Sequence, residues 1–190
     1  MLTLQIILGS IRQGRGGVSV ARWFEEAARQ DGRFNVEFVD LLELNLPMMD
    51  EPNHPRLAQY THEHTRRFSE LISRGDAYVF VSSEYNFGIP GALKNALDYL
   101  ALEWAGKPMS VFSYGGISGA IRAAEDLRRT AVALNMVPLN HNIVAPLYTQ
   151  QCDDEGRFSP NPVQADAAQD VLNALSEWGE MLRNRRQARH

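Results

Sequence analysis

Cys152 is the single cysteine among 190 residues. One thiol excludes an intramolecular disulfide framework, a cysteine-based zinc site and an iron–sulfur cluster, and it suits a reducing compartment. Charge of one sign is also scarce: 19 Lys and Arg against 23 Asp and Glu leave a net charge of -4. That is too mild for bulk attraction to nucleic acid or to an anionic membrane. Long hydrophobic runs are missing. The apolar stretch Leu2–Leu8 has no basic residue before it and is too short to span a bilayer. The expectation is a cytoplasmic protein with neither nucleic acid nor membrane as partner. No metal is expected either. His62 and His64 stand two apart around Glu63, and on a helix such residues face different sides. The run Asp153-Asp154-Glu155-Gly156 lacks the ligand spacing of a calcium loop.

What the chain does hold is ordinary for a globular protein, 44% hydrophobic and 22% charged residues, in a length that suits one domain over residues 1–190. Five β-rich runs alternate with helical patterns. The strands are expected at Leu2–Leu8, Phe34–Leu41, Ala77–Val81, Met109–Ser113 and Met136–Val144, the last interrupted by Pro138. Apolar residues recur at helical spacing in Val18–Gln30, Pro55–Ser73, Pro90–Ala101, Ser118–Leu134 and Pro162–Arg185. Pro90 and Pro162 fall where a first helical turn would begin. Unbroken hydrophobicity in the first and third strands suggests a parallel sheet covered on both faces, and the βα alternation implies a doubly wound α/β fold. Two stretches fall outside this rhythm, Leu42–His54 and Tyr148–Pro160. The second reads as a surface excursion.

In such a sheet, ligands bind beyond the carboxyl ends of the strands, and there the chain keeps its unusual residues. After the first strand comes Gly9-Ser10-Ile11-Arg12-Gln13-Gly14-Arg15-Gly16-Gly17-Val18. Glycines bring backbone N–H groups close to an anion, a helix N-terminus adds partial positive charge, and Ser10, Arg12 and Arg15 add donors. The pattern is neither a Walker A loop nor a dinucleotide fingerprint; it suits the phosphate of a mononucleotide. After the third strand comes Ser83-Glu84-Tyr85-Asn86-Phe87-Gly88-Ile89-Pro90, whose aromatic faces and free amides suit a flat hydrogen-bonding ring such as a flavin. After the fourth comes Ser113-Tyr114-Gly115-Gly116, where paired glycines permit close approach of a planar ligand. Each loop taken alone also reads as a plain turn; three on one edge point to a single site.

These residues resemble the NADPH-dependent FMN reductase family. Gly9-Ser10-Ile11-Arg12 resembles its phosphate loop, and Glu84-Tyr85-Asn86 followed by Ile89 to Asp98 resembles its most distinctive motif. Leu46 to Pro52 and Tyr114-Gly115-Gly116 resemble two further segments, so the similarity spans about residues 1–145. The chain departs from the common pattern at Ser83, where proline is frequent, and at Arg15-Gly16-Gly17-Val18, where Ser and Asn are frequent. The resemblance implies a flavodoxin-like α/β fold, a five-stranded parallel sheet of order 2-1-3-4-5 with helices on both faces. It implies non-covalent FMN, with its phosphate on Ser10, Arg12, Arg15 and the Gly17 and Val18 amides. The ring would lie between Ser83-Glu84-Tyr85-Asn86-Phe87 and Ser113-Tyr114-Gly115-Gly116. NADPH or NADH would supply hydride, and a small acceptor (free flavin, quinone or azo compound) would receive it by a ping-pong mechanism. Homodimers or homotetramers are implied as well.

The flavin would carry the chemistry, so no side chain is expected as catalytic acid or base. A flavodoxin-like electron carrier and a non-catalytic flavin-binding module are the alternatives, and the mild charge argues against the carrier. The basic residues Arg183, Arg185, Arg186 and Arg189 read as a solvated, frayed helix end, and Lys94 and Asp98 as a surface pair. Trp23, Trp104 and Trp178 read as core or interface residues.

Overall fold

The computed structural model describes residues 1–188. Strand β1 (Leu2–Leu8) leads into helix α1 (Gly17–Asp31) and then to β2 (Phe34–Asp40). A short helix α2 (Leu41–Leu44) follows, capped by the Asp40 carboxylate, which accepts from Leu42 N. Helix α3 (Glu63–Ser73), β3 (Ala77–Ser82), α4 (Gly91–Tyr99), β4 (Pro108–Tyr114) and α5 (Ile121–Ala133) come next. The chain then forms β5 (Val137–Pro138), β6 (Ile143–Ala145) and the long helix α6 (Pro162–Gln187), which opens with a capping box between Asn161 and Gln164.

All pairings in the sheet are parallel, and the order is β2-β1-β3-β4-β5 with β6 also on β4. This is the flavodoxin-like order. Alternate residues of the central strands serve two cores. Leu4, Ile6, Leu8, Val79 and Val81 pack with Val20 and Phe24 of α1 and Val171 and Leu175 of α6. Ile7, Tyr78, Phe80, Met109 and Val111 pack with Phe68 of α3, Leu93 and Leu97 of α4 and Leu127 of α5. Burial on both faces is why β1 and β3 read as nearly continuous apolar runs.

Several elements differ from the sequence expectation. The fifth strand is two short ones, because Pro138 has no N–H to continue a ladder. The Asn142 side chain patches the gap by accepting from Val111 N at 3.4 Å. Helix α3 starts at Glu63, not Pro55. Pro55–Leu57 is a single 3-10 turn stopped by Ala58 at φ 49°. His62 is therefore the extended N-cap of α3, and its ring stacks on His64 at 5.2 Å rather than facing away. Pro90 caps α4 from outside. The basic end of α6 is tied down: Arg186 donates to Gly106 O and to Asp76, at 2.7 and 2.8 Å. Arg189 lies outside the described residues. Lys94 and Asp98 pair on the surface at 2.6 Å. Trp104 is buried, Trp23 packs against the core, and Trp178 is partly exposed.

Candidate functional site

The strand order reverses direction between β1 and β3, so α1 and α4 leave the sheet on opposite faces and a crevice opens between the two strand ends. Gly9 N donates to Val81 O at 3.0 Å, holding the ends together, and the Ser10 hydroxyl lies 3.3 Å from the Tyr85 hydroxyl. A cavity of about 320 Å³ opens here. Ser10, Arg12 and Arg15 line it from the first loop, Ser83, Glu84 and Tyr85 from the second, and Tyr114, Gly115 and Gly116 from the third. Gly17, Val18, Asn86, Phe87 and Ser113 are not among its lining residues.

Individual roles differ from what the sequence suggested. The Arg15 guanidinium grips the Asp40 carboxylate with two bonds of 2.6 and 2.5 Å and donates to Ser10 O at 2.6 Å. It braces the loop against the end of β2. Arg12 is exposed and makes no ion pair among the described residues. Gly16 is the N-cap of α1 and gives the helix no side-chain cap, so the first amides of a 15-residue helix keep their donors free. Gly16 and Gly17 have a packing reason as well. A Cβ on Gly16 would fall 2.2 Å from the Tyr148 hydroxyl, and one on Gly17 would fall 2.2 Å from the Tyr114 hydroxyl.

In the second loop, Tyr85 N donates to Gly88 O and Gly88 N to Tyr85 O, at 3.0 and 3.1 Å. Asn86 and Phe87 form the tip of this tight turn, both at positive φ, 51° and 73°. Glu84 turns away from the tip toward α5. Its carboxylate accepts from Arg122 N, Ala123 N and Arg122 Nε at 3.1, 3.3 and 2.8 Å, and so caps that helix. In the third loop the Gly115 N–H donates to Ala145 O at 3.2 Å, so it is not free for a ligand, and Gly116 beside it lines the cavity. Tyr114 is buried, and burial pushes its phenol above the usual range. Ser113 is buried within β4, and its hydroxyl, like that of Ser83, has no hydrogen-bond partner.

Gly16 of the first loop lines the cavity too, as do residues that sequence reasoning missed: Ser118, Ala120, Leu147, Tyr148 and Thr149. Tyr148 stands edge-on to Tyr114 with ring centroids 5.1 Å apart. The segment from Tyr148 onward is therefore no mere surface excursion. Its signal was its position after β6, at the same carboxyl edge as the other three loops.

The sequence profile of the NADPH-dependent FMN reductase family matches residues 2–150. An NAD(P)H-dependent FMN reductase of Schizosaccharomyces pombe is 41% identical over 69% of this chain and 66% of its own length. The chain thus spans just under two thirds of that relative. A 2-hydroxy-1,4-benzoquinone reductase of a Burkholderia species is 29% identical over 97% of this chain and 98% of its own length. Among solved structures, the flavoenzyme NAD(P)H:(acceptor) oxidoreductase of Paracoccus denitrificans superposes with a TM-score of 0.74 at 25% identity, covering 95% of this chain and 98% of that one. With a matching profile over most of its length and its three signature loops gathered at one crevice, this chain belongs to the NADPH-dependent FMN reductase family.

Proposed function

We propose that the crevice holds FMN and that the chain, as one flavin-binding domain, is an NAD(P)H-dependent reductase of flavins, quinones or similar planar acceptors. One observation carries this reading. An uncapped helix N-terminus, an arginine without an ion pair among the described residues and the Ser10 hydroxyl share a cavity with a glycine turn and three tyrosines. Free amides at a helix start attract a phosphate dianion. The buried hydroxyl of Ser83, which has no hydrogen-bond partner, lies on the cavity wall, as expected of a group that a polar ligand would satisfy. The residues present fit FMN. Ser10, Arg12 and the Gly17 and Val18 amides would hold the phosphate, with Arg15 fixing the loop that presents them. Ser83, Tyr85, Asn86, Tyr114 and Gly116 would meet the ring.

Bound FMN would supply the two-electron chemistry that the side chains lack. The chain's own residues orient and polarise. The Gly116 N–H would stabilise negative charge on a ring bound beside it, since a fixed backbone donor needs no reorganisation. Tyr85 and Tyr114 exclude water from one wall. No side chain in the cavity acts as general acid or base.

Donor and acceptor share one opening and use it in turn. Initial rates with NADPH and a naphthoquinone should give parallel double-reciprocal lines. Intersecting lines would refute alternate use of the opening, and absence of turnover by an FMN-loaded protein would favour a carrier or binding module. Among the described residues no helix is long and apolar enough to cross a membrane. The same reading places the protein in the cytoplasm as a homodimer or homotetramer. The exposed apolar side chains of Ile11, Leu42 and Met48 beside α4 are the surface that such an assembly would cover.

A further inference from the structure

Phe87 is the most exposed large aromatic side chain among the described residues, at 69%. It also has a backbone φ of 73°, a region that L-residues with bulky side chains rarely adopt. Asn86 and Phe87 fill the two central positions of a turn in which both residues have positive φ, where glycine is the favoured second residue. A phenylalanine there gains nothing from burial and strains the backbone.

The ring is nonetheless held. The Arg122 guanidinium lies over its face, 4.3 Å from the centroid. Arg122 is fixed in turn by Glu84 through Nε at 2.8 Å and by Ser118 through Nη2 at 3.2 Å. Only 11% of the Glu84 side chain is exposed. The far side of the turn is anchored as well, since Ile89 N donates to Asp126 on the same helix at 3.2 Å. Two contacts from α5 thus brace a strained turn whose product is one exposed aromatic face, two residues from Tyr85 on the cavity wall.

We propose that Phe87 is a specificity-determining residue for planar substrates: a quinone-type acceptor entering the crevice stacks against its ring, which Arg122 holds in place. The proposal rests on the flavin-reductase reading of the same crevice. Strained backbone that neighbouring contacts sustain is a marker of function, and an aromatic ring fixed in advance binds a flat ligand without the entropy of ordering. The contact selects by shape and not by charge, so it distinguishes planar acceptors from compact inorganic ones.

The test compares the FMN-loaded protein with Phe87→Gly and Phe87→Trp. Glycine relieves the positive φ, so Phe87→Gly should melt at the same temperature as the parent or higher, and FMN affinity should stay within twofold. KM for a naphthoquinone should rise about tenfold, the size of one aromatic stacking contact. The dissociation constant of the same quinone, read by quenching of flavin fluorescence, should rise with it. KM for hexacyanoferrate(III) should not move, and Phe87→Trp should restore quinone affinity. An unchanged quinone KM in Phe87→Gly overturns the proposal, as does an equal rise for both acceptors. A change in molecular mass with quinone affinity intact overturns it too, and assigns the ring to a subunit interface. Failure of the parent protein to bind FMN or to oxidise NADPH would instead show itself before any substitution, and would remove both readings.

Discussion

Arg12 and Arg15 look alike in the sequence, and the structure separates them. Arg15 is bonded twice to Asp40 and once to Ser10 O, and the pair is largely buried, with 10% and 7% of the two side chains exposed. Removing one partner of a buried ion pair leaves an uncompensated charge and costs about 3–5 kcal/mol. Arg15→Met should therefore destabilise the flavin-free protein. At roughly 2–4 °C per kcal/mol for a chain of this size, its melting point should fall by roughly 6–20 °C. Arg12 makes no ion pair among the described residues and is exposed, so Arg12→Met should leave the apoprotein within about 0.5 kcal/mol of the parent. Its loss should instead weaken FMN. One charge-assisted hydrogen bond contributes about 1.5–3 kcal/mol, which is roughly a 10- to 150-fold rise in dissociation constant. Riboflavin has no phosphate and serves as the control; its affinity for Arg12→Met should match the parent. Thermal unfolding without flavin and fluorescence titration with each flavin read both effects. A melting point for Arg15→Met equal to the parent, or an Arg12→Met that weakens riboflavin as much as FMN, would refute this division of labour.

Three further outcomes follow from the packing. Gly17→Ala would set a Cβ 2.2 Å from the Tyr114 hydroxyl and 3.0 Å from Leu8 Cδ1; urea unfolding should show a loss of about 1–3 kcal/mol, although alanine favours a helix by about 1 kcal/mol. A gain in stability would show that Tyr114 does not hold this position. Glu84→Ala uncaps α5 and releases Arg122, and should lower stability by about 1–2 kcal/mol in the same assay; no change would dismiss the cap. Lys107 is buried beneath the sheet and donates to Ile72 O, Ser73 O and the Tyr78 hydroxyl. Burial, then the Arg186 charge, pulls its ammonium down to about 7. The unfolded lysine titrates near 10.4, so the folded chain bears a penalty that is full below pH 7 and fades as pH rises toward 10. The penalty is roughly 4–5 kcal/mol at about 1.36 kcal/mol per unit. The stability difference between parent and Lys107→Met should move in the parent's favour from pH 6.5 to 9.5. A difference that stays flat over that range would mean the ammonium is fully accommodated.

Periodicity alone located the sheet. Strands β1 and β3 are buried on both sides, so every residue from Leu4 to Leu8 and from Ala77 to Val81 had to be compatible with a core. The exceptions arise where backbone chemistry overrides pattern. Pro138 split the fifth strand, and Ala58 at positive φ broke what looked like one helix from Pro55. The three loops of the site were legible because glycines, arginines and aromatics stand together directly after strands. The partnerships inside them were not. Nothing local in the sequence tells Arg15 to reach Asp40, 25 residues on, or Glu84 to cap a helix 38 residues on. Tyr148 and Thr149 escaped notice because the strand before them is three residues long, too short to mark its own carboxyl end. Arg186 reads as solvated charge because its anchors, Asp76 and the Gly106 carbonyl, are distant in the chain; Arg185 is exposed, as the pattern suggests.

The most direct test of the site is a titration of the flavin-free protein with FMN and with riboflavin, followed by anaerobic addition of NADPH. The account predicts one FMN per chain, markedly tighter binding of FMN than of riboflavin, and bleaching of the flavin bands when NADPH is added. Equal affinity for the two flavins, or a bound FMN that keeps its colour in excess NADPH, would contradict it.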